Sequence, residues 1–132
     1  MRLNTRDIQI LNLFESMTKA RANDVIDAEG SMNFLVKEGD LGLAIGKKGV
    51  NIKKVSHALG QRVHAFEDSD DLTKFVRNLS HPLTPMARQE GGKVRIEFSR
   101  KDRSELPGRK IRLIRELVKR KFDAESVEFD FN

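Results

Sequence analysis

The feature that most constrains this chain is an internal duplication. Two successive segments each follow the order helix, strand, strand, short helix or loop, basic helix, strand, with a period of about sixty residues. The pattern predicts two small units, residues 1–67 and residues 68–132. The junction leaves almost no linker, and each unit is near the lower size limit for a stable core. We therefore expect the two units to be rigidly apposed.

The first unit contains a clear succession of helix and strand patterns. Asn4 or Thr5 can cap a first helix, and Gly60 is expected to end the last one. Strands are predicted over residues 24–28, 32–37 and 61–66. The apolar face of the helix before Gly60 is predicted to hold Ile52, Val55, Ala58 and Leu59.

The second unit repeats this order. Asp68, Ser69 or Asp70 is expected to cap its first helix, and Gly91-Gly92 predicts the turn of a hairpin. A long basic helix should begin at Gly108, with an apolar face made of Ile111, Ile114, Leu117 and Val118. The alternating residues Val127, Phe129 and Phe131 predict the last strand.

Between the two inner helices of the first unit lies the glycine-framed basic turn Gly46-Lys47-Lys48-Gly49. Glycines let a phosphate backbone approach the main chain, and the amides at the start of the following helix favour an anion. From Gly46 to Ala65 there are five Lys or Arg residues and no Asp or Glu. This combination indicates a site for nucleic-acid phosphate.

Other phosphate-binding loops do not fit the sequence. A P-loop needs four residues between its glycines followed by Lys-Ser or Lys-Thr, whereas Gly42 and Gly46 are separated by three and followed by two lysines. The dinucleotide fingerprint begins with Gly-x-Gly, which does not occur in the chain. We therefore expect no nucleotide cofactor.

Composition narrows the function further. The net charge of +5 and the sequence pI of about 9.7 are typical of proteins that meet polyanions. There is no cysteine, and the three histidines show no ligand spacing, so we expect neither a metal site nor catalytic residues. No apolar run is long enough to span a membrane, and the start of the chain does not resemble a signal peptide, which predicts a cytoplasmic protein.

A unit of order α-β-β-α-α-β with a basic GxxG between its inner helices resembles a type II KH domain. The longer string from Val36 to Val55 is similar to the first KH domain of NusA-type transcription factors, in particular the short archaeal NusA-like proteins made of two KH domains. The resemblance implies an α+β fold in which each domain has a three-stranded mixed sheet with helices on one face. It also implies a loop that clamps the backbone of about four nucleotides.

The same resemblance implies a transcription elongation or termination factor that binds single-stranded RNA. Two apposed KH units are expected to act as a monomer, and the residues predict no enzyme activity. RNA polymerase is a second candidate partner. In the first domain the implied RNA-binding residues are Ile45, Gly46, Lys47, Lys48, Gly49, Val50, Ile52, Lys53 and Lys54. Ile45 and Ile52 are expected to be mainly core residues with an edge beneath a base.

The second domain departs from the pattern at its loop. The matching residues are Glu105-Leu106-Pro107-Gly108, in which a carboxylate replaces the first glycine and Pro107 has no amide to donate. This loop is expected to be a degenerate clamp, with Gly108, Arg109, Lys110 and Arg112 contributing a positive rim.

Two other functions remain as alternatives. In the first, the KH folds serve mainly to dock on RNA polymerase or the ribosome, with little affinity for free RNA. An RNA hydrolase is the weakest hypothesis, because the chain shows no ligand cluster and no nucleophile–base pair.

Overall fold

The computed structural model describes residues 3–132, which form two compact units, one ending at Asp68 and the other beginning at Ser69. Each unit contains one three-stranded sheet in which the central strand has an antiparallel neighbour on one side and a parallel neighbour on the other. The protein is therefore α+β with two mixed sheets, as the sequence predicts. Rigid apposition of the units stays a prediction.

The first unit has three helices and three strands. In chain order they are α1 (Thr5–Thr18), β1 (Ala22–Ala28), β2 (Ser31–Val36), α2 (Leu41–Ile45), α3 (Val50–Leu59) and β3 (Arg62–Glu67). A 3-10 turn at Lys47–Gly49 joins α2 to α3.

Local sequence explains where these helices begin and end. Asn4 caps α1, and with Asp7 it forms a reciprocal capping box that satisfies two otherwise unpaired amides. Gly60 ends α3 in the left-handed conformation, as predicted. Inside the unit, the ring of Phe14 from α1 stacks on Phe34 of β2 with 4.1 Å between the centroids. The prediction for Ala58 is wrong, because this residue is exposed.

The second unit has two α-helices and three strands, with a 3-10 helix at Arg100–Glu105 in the place that α2 occupies in the first unit. Its elements are α4 (Leu72–Ser80), β4 (Met86–Glu90), β5 (Lys93–Phe98), α5 (Gly108–Phe122) and β6 (Ser126–Phe131). The cap of α4 is Asp71, whose side chain accepts from the Lys74 amide, and none of the three predicted residues.

The core of the second unit lies between its helices and the inner face of β5. Val94, Ile96 and Phe98 alternate along β5 and are buried. On α5 the buried residues are Leu113, Ile114, Leu117 and Val118, whereas Ile111 is only partly buried. The predicted apolar face was therefore slightly misplaced around the helix.

The two parallel strand pairs have matching registers. In the first sheet Phe34 lies opposite Ala65, and in the second sheet Ile96 lies opposite Phe129 at the equivalent step. Two residues further along each strand, Glu67 of β3 corresponds to Phe131 of β6. Equivalent edge positions thus carry small or acidic residues in one unit and phenyl rings in the other.

Within residues 3–132, none of the helices combines the length and the apolar character needed to cross a membrane.

Candidate nucleic-acid interface

The Gly46–Gly49 loop is a tight turn built from left-handed residues. Gly46 has φ 74° and ψ 172°, Lys48 has φ 57°, and Gly49 has φ 76°. Positive φ values are costly for residues with a Cβ and free for glycine. The two glycines at the ends of the motif therefore define its shape, and Lys48 adopts a conformation that a non-glycine residue rarely takes.

Gly46 is also required by close packing. A Cβ atom at this position would lie 2.7 Å from Asn51 Cγ and 2.9 Å from the Asn51 backbone nitrogen. The Asn51 side-chain amide donates a 2.8 Å hydrogen bond to the carbonyl of Leu43 in α2. Asn51 thereby fastens the first turn of α3 to α2 across the loop. The sequence interpretation missed this residue.

The amides from Lys47 to Val50 are the ones expected to face a phosphate. Two of these four amides donate hydrogen bonds within the turn. The Gly49 amide donates to the Gly46 carbonyl at 3.0 Å, and the Val50 amide donates to the Lys47 carbonyl. Gly46, in turn, donates to the Gly42 carbonyl at 2.9 Å. Any main-chain contact with a phosphate therefore falls to the amides of Lys47 and Lys48.

The basic side chains around the loop are exposed. Lys47 and Lys48 lie on the turn, and Lys53 and Lys54 follow on α3. Within the described part of the chain, no carboxylate forms an ion pair with any of these four ammonium groups. Their charge is therefore not neutralised by the residues described and is available to a polyanion.

Apolar side chains lie beside this charge. Leu43, Ile45 and Val50 are 50%, 37% and 43% exposed, which is unusual for large aliphatic residues so close together in the chain. Ile52 is partly buried against the core, as expected. Ile45 was expected to be mainly a core residue, but it is exposed. The loop is thus flanked by aliphatic surface as well as by lysines.

The equivalent segment of the second unit has a different structure. Leu106 is buried, and the Pro107 carbonyl accepts from the amides of Lys110 and Ile111 at the start of α5. Gly108 does not have a positive φ. The segment therefore lacks the glycine-dependent turn of the first unit, and its role as a degenerate clamp stays a prediction.

The basic residues predicted to form a rim on the second unit differ in their exposure to solvent. Arg109 and Arg112 are exposed on α5. Lys110 is partly buried and lines a cleft that also includes Pro82 and Leu106. Burial lowers the pKa of the Lys110 ammonium from its usual value, because desolvation disfavours the charged form.

Two α-β-β-α-β units, one with an additional inner helix and a GxxG turn, define the class of protein. The KH-domain family profile matches residues 11–105, which is more than half of the chain. The chain therefore belongs to the KH-domain family.

Comparison with individual proteins narrows this class. The chain is similar to a protein named "Probable transcription termination protein NusA" from Methanococcus vannielii, with 41% identity over 83 residues, 63% of this chain and 48% of that protein. The protein of the same name from Methanocaldococcus jannaschii is 39% identical over 63% of this chain and 45% of its own length. The matched part thus spans about half of these two relatives.

Two further comparisons extend over nearly the whole chain. The protein of the same name from Halococcus morrhuae is 29% identical over 97% of this chain and 99% of its own length. The crystal structure of APE1850 superposes with a TM-score of 0.86 and 28% identity, covering 96% of this chain and 99% of that one. The predicted resemblance to archaeal NusA-like KH proteins is confirmed.

Proposed function

We propose that the protein is an RNA-binding transcription factor that holds single-stranded RNA on the Gly46–Gly49 loop of its first KH domain. The observation that carries this proposal is the pair of exposed lysines, without carboxylate partners among the described residues, on a turn shaped by two left-handed glycines. The names of the relatives support the role in transcription. RNA polymerase is the protein partner proposed with it.

The geometry of the turn supports specific phosphate contacts. The amides of Lys47 and Lys48 are the main-chain donors proposed for one phosphate, since those of Gly49 and Val50 donate within the turn. The ammonium groups of Lys47 and Lys48 would contact this phosphate and its neighbour. Lys53 and Lys54, one turn further along α3, extend the basic surface.

The base contacts are proposed to be aliphatic. Ile45, Val50 and the exposed edge of Ile52 flank the loop, and the chain has neither Trp nor Tyr to stack on a base. Bases would pack on these side chains and form hydrogen bonds along their edges. In the second domain, exposed Arg109 and Arg112 are proposed as a weaker positive rim, next to Gly108 and the partly buried Lys110.

The proposal is tested by reversing the charge of the loop. Lys47→Asp/Lys48→Asp should remove two phosphate contacts, which lowers the log–log salt slope of RNA binding by about 1.4. At ~0.1 M salt this corresponds to a loss of about 25-fold in affinity, before repulsion by the new carboxylates is added. The assay is fluorescence anisotropy of a labelled single-stranded RNA library at two salt concentrations.

A matched control variant distinguishes binding at the loop from a general effect of net charge on RNA affinity. Arg6→Asp/Lys19→Asp makes the same charge change at exposed positions at the two ends of α1. RNA affinity that falls equally in both folded variants would contradict a specific clamp at the loop. A wild type that binds no RNA but forms a stable complex with RNA polymerase would favour the alternative of a protein-docking module.

A further inference from the structure

The two outer strands of the second sheet differ in how their free edges are covered. The strand order is β4-β5-β6, so within residues 3–132 β4 and β6 each have one edge without a strand neighbour. On β4, the amide and the carbonyl of Ala87 both bond to the Thr73 hydroxyl of α4, at 3.2 and 3.0 Å. Beside them, Arg77 Nε donates to the Pro85 carbonyl at 2.8 Å. Side chains of α4 therefore occupy main-chain groups that an additional strand would need.

The last residues of β6 have no comparable cover in the described part of the chain. At the two ends of this strand, the amides of Ser126 and Asn132 donate toward β5 and the turn before it. Since neighbouring residues of a strand direct their main-chain groups to opposite edges, those of Phe129 and Phe131 point away from β5. Nothing described in the chain bonds to these two amides and two carbonyls. The open part of the edge thus offers two donors and two acceptors, the pattern that one more strand requires.

Two arginines lie beside this open edge, on the face of the sheet that packs against the helices. The guanidinium carbon of Arg103 is 4.9 Å from the ring centroid of Phe131, and that of Arg115 is 5.1 Å from that of Phe129. The buried ring of Phe98 lies nearly parallel to both rings, at 5.6 Å from Phe131 and 6.4 Å from Phe129. The rings are thereby fixed in the sheet, and each supports one arginine.

Both guanidinium groups keep donors for a ligand. Neither Arg103 nor Arg115 forms an ion pair with the described residues, and the hydrogen bond from Arg115 Nε to the Val127 carbonyl is a long one of 3.5 Å. Phe129 and Phe131 are two residues apart on one strand face, about 6.8 Å, and the same distance separates alternate side chains of an added strand. Carboxylates at alternate positions of that strand would therefore lie beside the two arginines.

The opposite face of β6 offers no such attraction. Glu128 pairs there with Lys93 and Arg95 at 3.4 and 3.0 Å, and Asp130 lies 3.6 Å from Arg95. The charges on this face are largely balanced within the sheet, and its carboxylates are the groups nearest to the open edge. An added strand is therefore expected to carry acidic side chains on the helix-packed face and neutral ones on the other.

From these observations we propose that an extended acidic segment of a partner protein adds to the second sheet as a fourth strand beside β6, with alternate carboxylates on Arg103 and Arg115. A protein strand fits this edge because its amides and carbonyls repeat at the spacing of the open groups on β6. The first unit lacks the arrangement, since Ala65 and Glu67 occupy the positions equivalent to the two rings. The inference goes beyond the proposed RNA binding and does not rest on it.

The first test uses a short fluorescein-labelled peptide in which glutamate and threonine alternate, with fluorescence anisotropy as the assay. A control peptide has the same composition, but its glutamates are grouped at one end. The alternating peptide should bind more tightly, and Arg103→Gln/Arg115→Gln should weaken its binding by roughly 2- to 30-fold, as expected for two exposed ion pairs. The control variant Arg88→Gln/Lys119→Gln removes two exposed charges elsewhere in the second unit. Equal affinity for both peptides, or equal loss in both variants, overturns the inference.

Main-chain pairing is tested separately by N-methylating the alternating peptide, either at every glutamate or at every threonine. The amides of alternate residues point to the same edge of a strand, so only one of these two peptides should lose affinity. The expected loss is roughly 5- to 150-fold, corresponding to two missing hydrogen bonds. Binding that survives both modifications would reflect charge alone, and binding lost with both would not depend on one edge. Either result overturns the inference.

Amide NMR signals locate the bound peptide in the whole protein. Those of Phe129 and Phe131 should shift downfield and exchange more slowly with solvent, whereas that of Ala87, on the covered edge, should stay unchanged. Unchanged Phe129 and Phe131 signals at saturating peptide refute strand addition. If the arginine replacements weaken binding of single-stranded RNA but not of the peptide, the surface binds RNA and the inference is wrong.

Circular dichroism of each variant establishes that it is folded, and the comparison among peptides needs no variant. None of these outcomes requires RNA to bind at the Gly46–Gly49 loop. Failure of the function proposed for the loop is therefore detected separately, by the RNA affinity of its own variant.

Discussion

Replacing Gly46 by alanine should destabilise the first unit for two separable reasons. The residue has φ 74° and ψ 172°, a region almost restricted to glycine, where a Cβ costs about 1–3 kcal/mol. The new Cβ would also lie 2.9 Å from the backbone nitrogen of Asn51, which cannot rotate away as a side chain does. Overpacking of this kind costs roughly 1–3 kcal/mol. We therefore expect the free energy of unfolding to fall by about 2–6 kcal/mol.

Gly30→Ala is the matched control. Gly30 has a similar φ of 77°, but nothing lies within 4 Å of its Cβ position, so only the conformational cost of about 1–2 kcal/mol applies. The free energy of unfolding of both variants is measured by urea denaturation, monitored through amide NMR signals of the first unit. A Gly46→Ala variant that loses no more stability than Gly30→Ala would refute the packing argument.

The contact with Asn51 can be isolated by a double-mutant cycle. Asn51→Ala removes the Cγ atom that lies 2.7 Å from the new Cβ, together with the hydrogen bond to Leu43. In that background Gly46→Ala should cost less than in the wild type, with a coupling energy of about 0.5–3 kcal/mol. Additive effects would show that the Asn51 side chain does not cause the clash.

Two further predictions concern the second unit. Gly108→Ala should raise its stability by about 0.4–1 kcal/mol, because Gly108 has no positive φ and the nearest obstacle is the mobile end of Arg112 at 3.2 Å; a lower urea midpoint would contradict this. The pKa of the Glu128 carboxyl should lie below its usual value near 4.5, because its hydrogen bond with Arg95 favours the charged form. Since the pKa is lowered in the folded state, the stabilisation by this carboxylate is present above its unfolded pKa and is lost as the pH falls through the folded pKa. An NMR pH titration should show a higher pKa for Glu128 in Arg95→Gln than in the wild type. An unchanged pKa would contradict the hydrogen bond between Glu128 and Arg95.

The fold could be predicted because each element carries its own signal. The periodic apolar residues of α5, the Gly91-Gly92 hairpin and the repeated order of elements are local features of the sequence. The 3-10 helix at Arg100–Glu105 has no buried residue, so hydrophobic periodicity could not reveal it. Asp71 caps α4 because it directly precedes the first helical residue, while Asp68 accepts from the side chain of Asn23, a partner distant in sequence.

The candidate site was predictable only in part, because only some of its features are local in the sequence. The basic glycine loop is contiguous, so its composition could be recognised directly. The role of Asn51 depends on where α3 places its side chain relative to Leu43. Such contacts depend on tertiary structure, and no local pattern of residues predicts them.

Lys48 shows that the loop is not optimised for stability. Its φ of 57° is costly for a side chain with a Cβ, and glycine or asparagine would adopt it more readily. If Lys48 contacts a phosphate as proposed, fold stability and RNA binding make opposite demands on this one residue.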